Sequence, residues 1–377
     1  MTTTTIELSS VIKDIAAGPF GSNLKVSCFV EDGFPIIDGA NLKGLKVTDN
    51  VTKFVTEEKA RSLHRAIAKR GDVVVTISGT LGQIAYIPQN SKYEEYLVSQ
   101  RQFRVTFDES KVSVPYLVYY FHTFEGQNKI LAFASQVGVP ALSQPLKNFR
   151  QITLDLPSLE IQQKIANMMD SITQKIENNS AINNNLLEQA QALYTSMFIT
   201  NADPSWQQGR LSDLITVRYG KDHKKLADGV YPVYGSGGVM RYAERPLYEH
   251  ESVLIPRKGT LNNVMYVNEP FWSVDTMFYT EMRVPNVAKF VYHFVKSKDL
   301  ASMNAGSAVP SMTTDILNAM ELSIPSTTAL AEFEDIVAPM YRVIKDNDIQ
   351  AAQLAKLRDS ILPKLMSGEI DVSEVDI

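Results

Sequence analysis

The sequence predicts one plan written twice: two globular domains and two long helices, the helices packed on each other as an antiparallel coiled coil. Three observations predict it. Four sequence blocks recur in the same order at a long period. Each repeat closes on a proline followed by a run of helical periodicity. Neither run can bury its apolar stripe alone, which calls for a partner helix.

The first block is ELSSVIKDIAAGPFG, from Glu7, which lines up with RLSDLITVRYGK, from Arg210, at an offset of 203. Both read as a short amphipathic element ending at a glycine, Gly21 or Gly220. The second is GDVVVTISGTLGQIAYI, from Gly71, against HESVLIPRKGTLNNVMYV, from His250, sharing Gly-Thr-Leu at an offset of 180. The third pairs Val139–Pro140 with Val309–Pro310 at an offset of 170, and the fourth pairs Pro157 with Pro325 at 168. The offset shrinks because the intervening segments are shorter in the second half. Long-period self-similarity of this kind is the mark of a duplicated scaffold with divergent loops.

After Pro157, apolar residues fall at Ile161, Ile165, Met168, Met169, Ile172, Ile176, Leu186, Leu187, Ala190, Leu193, Tyr194 and Met197. Spacings of three and four dominate, and no proline or glycine interrupts the run from Leu159 to Thr200. This is one helical stripe. After Pro325 a matching run extends from Leu330 to Met366, with Phe333, Ile336, Val337, Met340, Ile344, Leu354, Leu357, Ile361 and Leu365 on its stripe. Pro363 and Gly368 are expected to mark its end. About 38 residues make ~57 Å of helix. That is long for a domain of ~150 residues, roughly 26 Å across. Each helix is therefore expected to act as a spacer with a domain at either end. The expected division is 1–157, 158–200, 201–325 and 326–377. A polar patch, Ser180 to Asn185, interrupts the first stripe; a bend, a solvated turn and a partner-facing surface all fit it.

Composition narrows the function. The chain of 377 residues carries a net charge of −5. The acidity is local: residues 1–155 carry +2, residues 201–325 are neutral, and the helical segments 156–200 and 326–377 carry −2 and −5. A nucleic-acid reader of this charge needs a local basic face or basic partners. Cys28 is the single cysteine, which excludes an intrachain disulfide and a CxxC zinc site. No signal-peptide pattern and no apolar run of membrane length is present, so a cytoplasmic location is the default expectation.

Catalytic patterns are missing. There is no [DNS]-P-P-[YFW] motif of an amino-methyltransferase and no phosphate loop of the G-x-x-x-x-G-K-[ST] type. Gly235, Gly237 and Gly238 read as a turn. The five histidines, His64, His122, His223, His250 and His293, lack ligand spacing. Asp49, Glu57 and Lys59 resemble a nuclease D…E-x-K only superficially, in a charged stretch that reads as a solvated helix.

At this point GPFGSNLK (Gly18 to Lys25), IDGANL (Ile37 to Leu42), GDVVVTISGTLG (Gly71 to Gly82), LPSLEIQQKIA (Leu156 to Ala166), WQQGRLSDL (Trp206 to Leu214) and ILPKLMSGEIDV (Ile361 to Val372) carry a resemblance. Together, over essentially the whole chain, they resemble the specificity subunits of type I restriction–modification systems. The resemblance implies an α+β fold: two mixed α/β target-recognition domains joined by two long helices packed as an antiparallel coiled coil, with an internal pseudo-twofold repeat. It implies a non-catalytic subunit whose domains each read one half of a bipartite, asymmetric site on double-stranded DNA. It also implies two methyltransferase subunits and nuclease/translocase subunits as partners. S-adenosylmethionine, ATP and magnesium would then belong to those partners, and this chain would bind no cofactor and no metal. The second domain departs from the first with YPVYGSGGVM (Tyr231 to Met240) in place of FPIIDGANL (Phe34 to Leu42), and with RKGTLNN in place of SGTLGQ.

Base edges are read by Arg, Lys, Asn or Gln on rigid loops, and phosphates by Ser, Thr, Lys and backbone N–H groups. The candidates in the first domain are Ser22, Asn23 and Lys25, then Lys43 after IDGANL, Ser78 and Thr80 at Gly-Thr-Leu, and Arg101 and Arg104 on a strand. In the second domain they are Lys221, Lys224, Lys225, Arg257, Lys258 and Asn262. Ser135, Gln136 and Gly138, with Asn304, Gly306 and Ser307, occupy matching polar loops. The acidic second helix, with Asp346 and Asp348, is expected to dock a partner. Two competing classes are a self-sufficient methyltransferase or nuclease, which the missing motifs oppose, and a helical scaffold with two ligand-binding domains and no DNA role, which the net charge favours.

Overall fold

The computed structural model describes residues 2–135, 140–303 and 311–373. Val139, Val309 and Pro310, and the loop candidates Gln136, Gly138, Asn304, Gly306 and Ser307, lie outside the described residues. The chain divides into two compact units, residues 1–177 with 351–377, and residues 178–350.

Unit 1 contributes β1 (Thr4–Glu7), β2 (Ile12–Ala17), β3 (Phe34–Ile37), β4 (Val73–Thr76), β5 (Ile84–Tyr86), β6 (Glu95–Val98), β7 (Gln102–Phe107), α1 (Val114–Phe121) and β8 (Thr153–Leu156). Its central sheet has the order β2-β7-β4-β5 and is antiparallel. The Val-Val-Val-Thr run of β4 is buried throughout, as a strand covered on both faces demands. In a second sheet β3 lies parallel to β6, and β1 pairs with β8. Helix α1 starts at Ser113, whose hydroxyl accepts the Tyr116 N–H, with Pro115 in the first turn. It buries Tyr116, Leu117, Val118, Tyr119 and Phe121.

Helix α2 (Leu159–Thr195) follows β8. Unit 2 then contributes β9 (Gln208–Arg210), β10 (Ile215–Tyr219), β11 (Asp228–Gly235), β12 (Gly238–Ala243), β13 (Ser252–Pro256), β14 (Met265–Val267), β15 (Trp272–Ser273), β16 (Met277–Met282), α3 (Ala288–Lys296) and β17 (Glu321–Ser323), and α4 (Thr327–Ser367) follows. Its central sheet, β10-β16-β13-β14, repeats the order and direction of the first. β11 lies parallel to β15 as β3 does to β6, and β9 pairs with β17 as β1 does with β8. Gly235 and Gly238 pair across the β11–β12 hairpin, so the three glycines form a turn.

The repeat holds at the level of single residues. Phe103 lies opposite Ala17 on one side and Val75 on the other. Phe278 lies likewise between Tyr219 and Ile255. One alignment needs correction. Gly220 corresponds to Gly18 and not to Gly21. The Gly18 N–H donates to the Gln102 carbonyl at 2.8 Å and the Gly220 N–H to that of Met277 at 3.0 Å. A Cβ added at Gly18 would stand 1.9 Å from the Ser99 carbonyl oxygen, and at Gly220 2.0 Å from that of Val274. The physical cause is a bulge opposite Thr106 and Phe107, which absorbs one extra residue of β2.

The long helices differ from expectation in two respects. The α-helix of the first ends at Thr195 and closes through a π-helical turn over Ser196–Thr200. The second begins at Thr327 and continues through Pro363 to Ser367, because Leu362 and Leu365 are held in the unit 1 core. Gly368, at φ 77°, then ends it, with the Ile370 N–H donating to the Lys364 carbonyl at 3.1 Å. The stripes are also core, not spacer alone. Ile165, Ala166 and Met169 of α2 join Leu362 and Leu365 of α4 in the core of unit 1. Ala190 and Tyr194 join Leu330, Phe333 and Val337 in that of unit 2. The two pairings run antiparallel. Ile336 and Leu357, placed on the stripe by periodicity, are exposed.

The polar patch is neither a bend nor a solvated turn. Asn183 Nδ2 donates to the Ile344 carbonyl and to Asp348, and Asn347 Nδ2 donates to Asn183 Oδ1 at 2.9 Å. One turn earlier, Asn179 is 1% exposed and donates to Gln350 Oε1 at 2.9 Å. Such a polar layer inside an apolar seam fixes helix register.

Candidate nucleic-acid interface

In unit 1 the strand ends before β7 and after β4 converge on a cleft of about 540 Å³. Its walls carry Ser78, Gly79 and Thr80 from the Gly-Thr-Leu loop, and Gln100, Arg101 and Gln102 from the turn into β7. Leu24 and Val26 bring the loop containing Ser22, Asn23 and Lys25 to its rim. Those three residues are exposed, in a turn closed by the Asn23 N–H on the Phe20 carbonyl. The floor is polar and fixed. Gln83 Nε2 donates to the Gly39 carbonyl at 3.1 Å, and Thr76 donates to Gln83 Oε1 at 3.0 Å. Asp38 takes Lys53 at 2.6 Å and the Ala40 N–H at 2.9 Å. Burial alone would raise the Asp38 carboxyl, but the Lys53 ammonium and the backbone N–H hold it below its ordinary value.

Arg101 is exposed and Gly79 turns past it at φ 96°. Among the described residues no carboxylate pairs with Arg101, Lys25 or Lys43. Lys43, however, stands outside the cleft, on the loop leading to Lys46, which pairs with Asp170 at 4.0 Å. Arg104 leaves the candidate set. It is 8% exposed, with Nη2 on Asp14 at 2.6 Å and Nε on the Arg65 carbonyl at 2.9 Å. Burial would raise the Asp14 carboxyl, yet the Arg104 guanidinium holds it below its ordinary value. Arg101 sits in the turn before β7 and meets solvent, whereas Arg104 lies within the strand and is sealed into the sheet.

In unit 2 the corresponding loop, Arg257 to Asn263, packs on the hairpin turn. Asn263 Nδ2 donates to the Ser236 carbonyl at 2.8 Å, the counterpart of Gln83 on Gly39. Arg257 lies 5.3 Å over the Tyr219 ring, with Nη1 3.4 Å from the Asp275 carbonyl. Lys258 is exposed beside it, and the Lys221 N–H is held by the Ser273 carbonyl at 2.8 Å. Lys224 and Lys225 are exposed on the following turn. Among the described residues none of these five cations forms an ion pair. By contrast Arg218 and Arg241 are paired with Glu281 and Asp228. Asn262 also leaves the set. Its amide donates to Asp299 and accepts the Ala301 N–H, both at 3.0 Å.

Sequence reasoning missed the cleft's amides, Gln83, Gln100 and Gln102; the glutamine-rich SQRQ before β7 was the available signal. Asp49, in the superficial nuclease triple, accepts the Lys92 N–H and the Tyr96 hydroxyl. Among the described residues no cluster of His, Cys, Asp or Glu is placed to hold a metal ion. Among the described residues no helix is long and apolar enough to cross a membrane.

The type I restriction modification DNA specificity domain matches the chain twice, over residues 19–188 and 204–358. The chain belongs to that family. It is a type I restriction–modification specificity subunit that recognises DNA sequence with two domains, a non-catalytic role. A scaffold without a DNA role is not favoured. The chain is 23% identical over 365 residues to the MjaIX type I restriction enzyme specificity subunit of Methanocaldococcus jannaschii, covering 85% of this chain and 82% of that one. It is 29% identical over 92 residues to the HindI specificity subunit of Haemophilus influenzae, covering 24% and 18%. Its fold is similar to the crystal structure of a type I S subunit from M. genitalium, with TM-score 0.64, 16% identity and coverage of 97% and 96%.

Proposed function

We propose that each unit lays its loop cluster on one half of a bipartite, asymmetric site in double-stranded DNA. The observation that carries this is the coincidence of unpaired cations with equivalent loops: Lys25 and Arg101 around the unit 1 cleft, and Lys221, Lys224, Lys225, Arg257 and Lys258 in unit 2. Lysines on mobile stems neutralise phosphates, whereas residues on strand ends reach base edges. Ser78, Thr80, Ser22 and Asn23 add hydroxyl and amide contacts at the rim.

In this reading the chain binds no cofactor and works in the cytoplasm. Two methyltransferase subunits supply S-adenosylmethionine, each methylating one adenine, and nuclease/translocase subunits supply ATP and magnesium chemistry. The acidic α4, with Asp346 on it, docks a partner subunit. Asp348 is withdrawn from that surface, since it accepts from Asn183 within the helix pair.

The test is the full chain assembled with its methyltransferase subunits. Single-molecule sequencing should map modified adenines to a bipartite motif with a fixed unread gap, present only with this chain. The triple variant Lys221→Gln, Lys224→Gln, Lys225→Gln should weaken binding of all duplexes alike. It should also flatten the dependence of log K on log salt by about 0.9 per lost phosphate contact. An unchanged salt slope would remove these lysines from the interface. Modification without a bipartite motif would overturn the assignment of one half-site to each unit.

A further inference from the structure

The two repeats place one arginine each in the same cross-strand pair, but on opposite members of it. In unit 1 the pair is Ile77 and Arg101: the Ile77 N–H donates to the Arg101 carbonyl at 2.6 Å. In unit 2 it is Arg257 and Thr276: the Arg257 N–H donates to the Thr276 carbonyl at 2.9 Å. The equivalence rests on register. Thr76 and Gln102 are partners in unit 1, and Pro256 and Met277 in unit 2; the pair in question is the next step along each ladder. The Ile77 carbonyl accepts the Leu142 N–H at 2.8 Å, and that of Arg257 accepts the Met312 N–H at 3.0 Å. Both members of the pair adjoin the Gly-Thr-Leu loop, Arg101 across from Gly79 and Arg257 two residues before Gly259.

We infer that Arg101 and Arg257 are equivalent base-reading residues, each selecting a guanine in its own half-site. The inference rests on the DNA-reading function proposed above and names the residues that carry discrimination. Arginine presents two parallel donors that match the O6 and N7 acceptors of guanine in the major groove. That fork must be aimed before it is useful. Arg257 is aimed by the Tyr219 ring at 5.3 Å and by the Asp275 carbonyl. Arg101 issues from the strand turn closed by the Gln102 N–H on the Ser99 carbonyl at 3.1 Å, and its Nη1 lies 3.9 Å from where a Gly79 Cβ would be. Arg104, Arg218 and Arg241 have their forks occupied by carboxylates.

The experiment compares wild type, Arg101→Ala, Arg257→Ala and Arg257→Lys, each as full chain assembled with methyltransferase subunits. Adenine modification is mapped genome-wide, and affinity is measured on duplexes that vary one base pair at a time. Each Ala variant should relax one guanine position in one half-site, with a loss of discrimination of about 10- to 100-fold, while the other half-site keeps its sequence. Arg257→Lys keeps the charge and loses the fork, so it should relax the same position. It also carries the test if Arg257→Ala melts early. Three results overturn the inference while wild type still yields a bipartite motif: an unchanged motif, a uniform loss across all sequences, or full discrimination retained by the lysine. A wild-type complex without a bipartite motif would instead sink the underlying reading.

Discussion

The two units share strand order, register and two structural glycines, yet they fasten their recognition sheets to the long helices by different chemistry. In unit 2, Lys289 of α3 is 3% exposed. Its ammonium reaches Glu334 of α4 at 2.7 Å and Glu251 at 3.0 Å, over the rings of Tyr266 and Tyr341. Beside it Tyr341 meets His293 Nε2 at 2.9 Å, and His293 Nδ1 meets Gln191 of α2 at 2.8 Å. In unit 1, among the described residues, the corresponding contact carries no buried ion cluster. Tyr119 of α1 donates to Asp170 of α2 at 2.8 Å, and Gln162 accepts the Ser113 N–H at 3.0 Å. Glu334 lies nine residues after Pro325, as Ala166 lies nine after Pro157. The duplicated scaffold thus keeps its backbone geometry and rewrites the side chains wherever another arrangement satisfies the same polar groups. The same freedom moved an arginine from one strand to its neighbour at the candidate interface.

The sharpest way to break this comparison is to remove the cation. Lys289→Ala leaves the partly buried Glu251 and Glu334 without their counterion, and should cost about 2–4 kcal/mol. Tyr119→Phe removes the hydroxyl that meets both Asp170 and Thr173 in unit 1 and should cost about 1–2 kcal/mol. Urea unfolding of the full chain measures both. Combining Lys289→Met with Glu251→Gln and Glu334→Gln should recover most of the loss, because no charge is then stranded. Equal costs for Lys289→Ala and Tyr119→Phe would show that the ion cluster does not hold α3 to α4.

A second test presses on what the units share. Gly18→Ala and Gly220→Ala each drive a methyl group into a carbonyl oxygen of a neighbouring strand end. Overpacking of this kind costs about 1–3 kcal/mol, and the two losses should agree. Gly21→Ala meets only the Gln100 side chain, which can swing away, so its effect should stay within about 0.5 kcal/mol. A larger loss at Gly21 than at Gly18 would restore the original alignment of the repeats.

The duplication, the long helices and their pairing were legible because they depend on periodic apolar residues and on glycines and prolines at fixed backbone positions. Val75 and Ile255, or Pro157 and Pro325, announce themselves without any knowledge of their neighbours. The β2 bulge was not legible: one inserted residue changes a register without changing composition. Nor was the fate of single polar side chains. Arg101 and Arg104 look alike in SQRQFRV, and only the sheet shows that one meets Asp14 while the other meets solvent. Asn262 looked like a reader of bases and proved to be a brace for the 299–301 turn. The polar patch of α2 was visible, but choosing among its meanings needed Asn347 and Asp348, more than 160 residues away in sequence.

The remaining expected effect concerns pH and again separates the units. Burial drives the His293 imidazole down to about 4, against about 6.5 for a solvated histidine. Above pH 6.5 folded and unfolded chains both carry it neutral, and it adds no pH dependence. Between 6.5 and about 4 the unfolded chain binds a proton that the folded chain refuses, so stability falls with acidification by about 1.4 kcal/mol per pH unit. In unit 1 the His122 ring bonds the Ile84 carbonyl at 2.9 Å from an exposed position, so solvent moderates any such contribution. Urea midpoints at pH 7 and pH 5 for wild type, His293→Gln and His122→Gln read the difference directly. His293→Gln should flatten the acid slope more than His122→Gln does, whatever either substitution costs at neutral pH. A slope untouched by His293→Gln would assign the acid sensitivity to carboxylates instead.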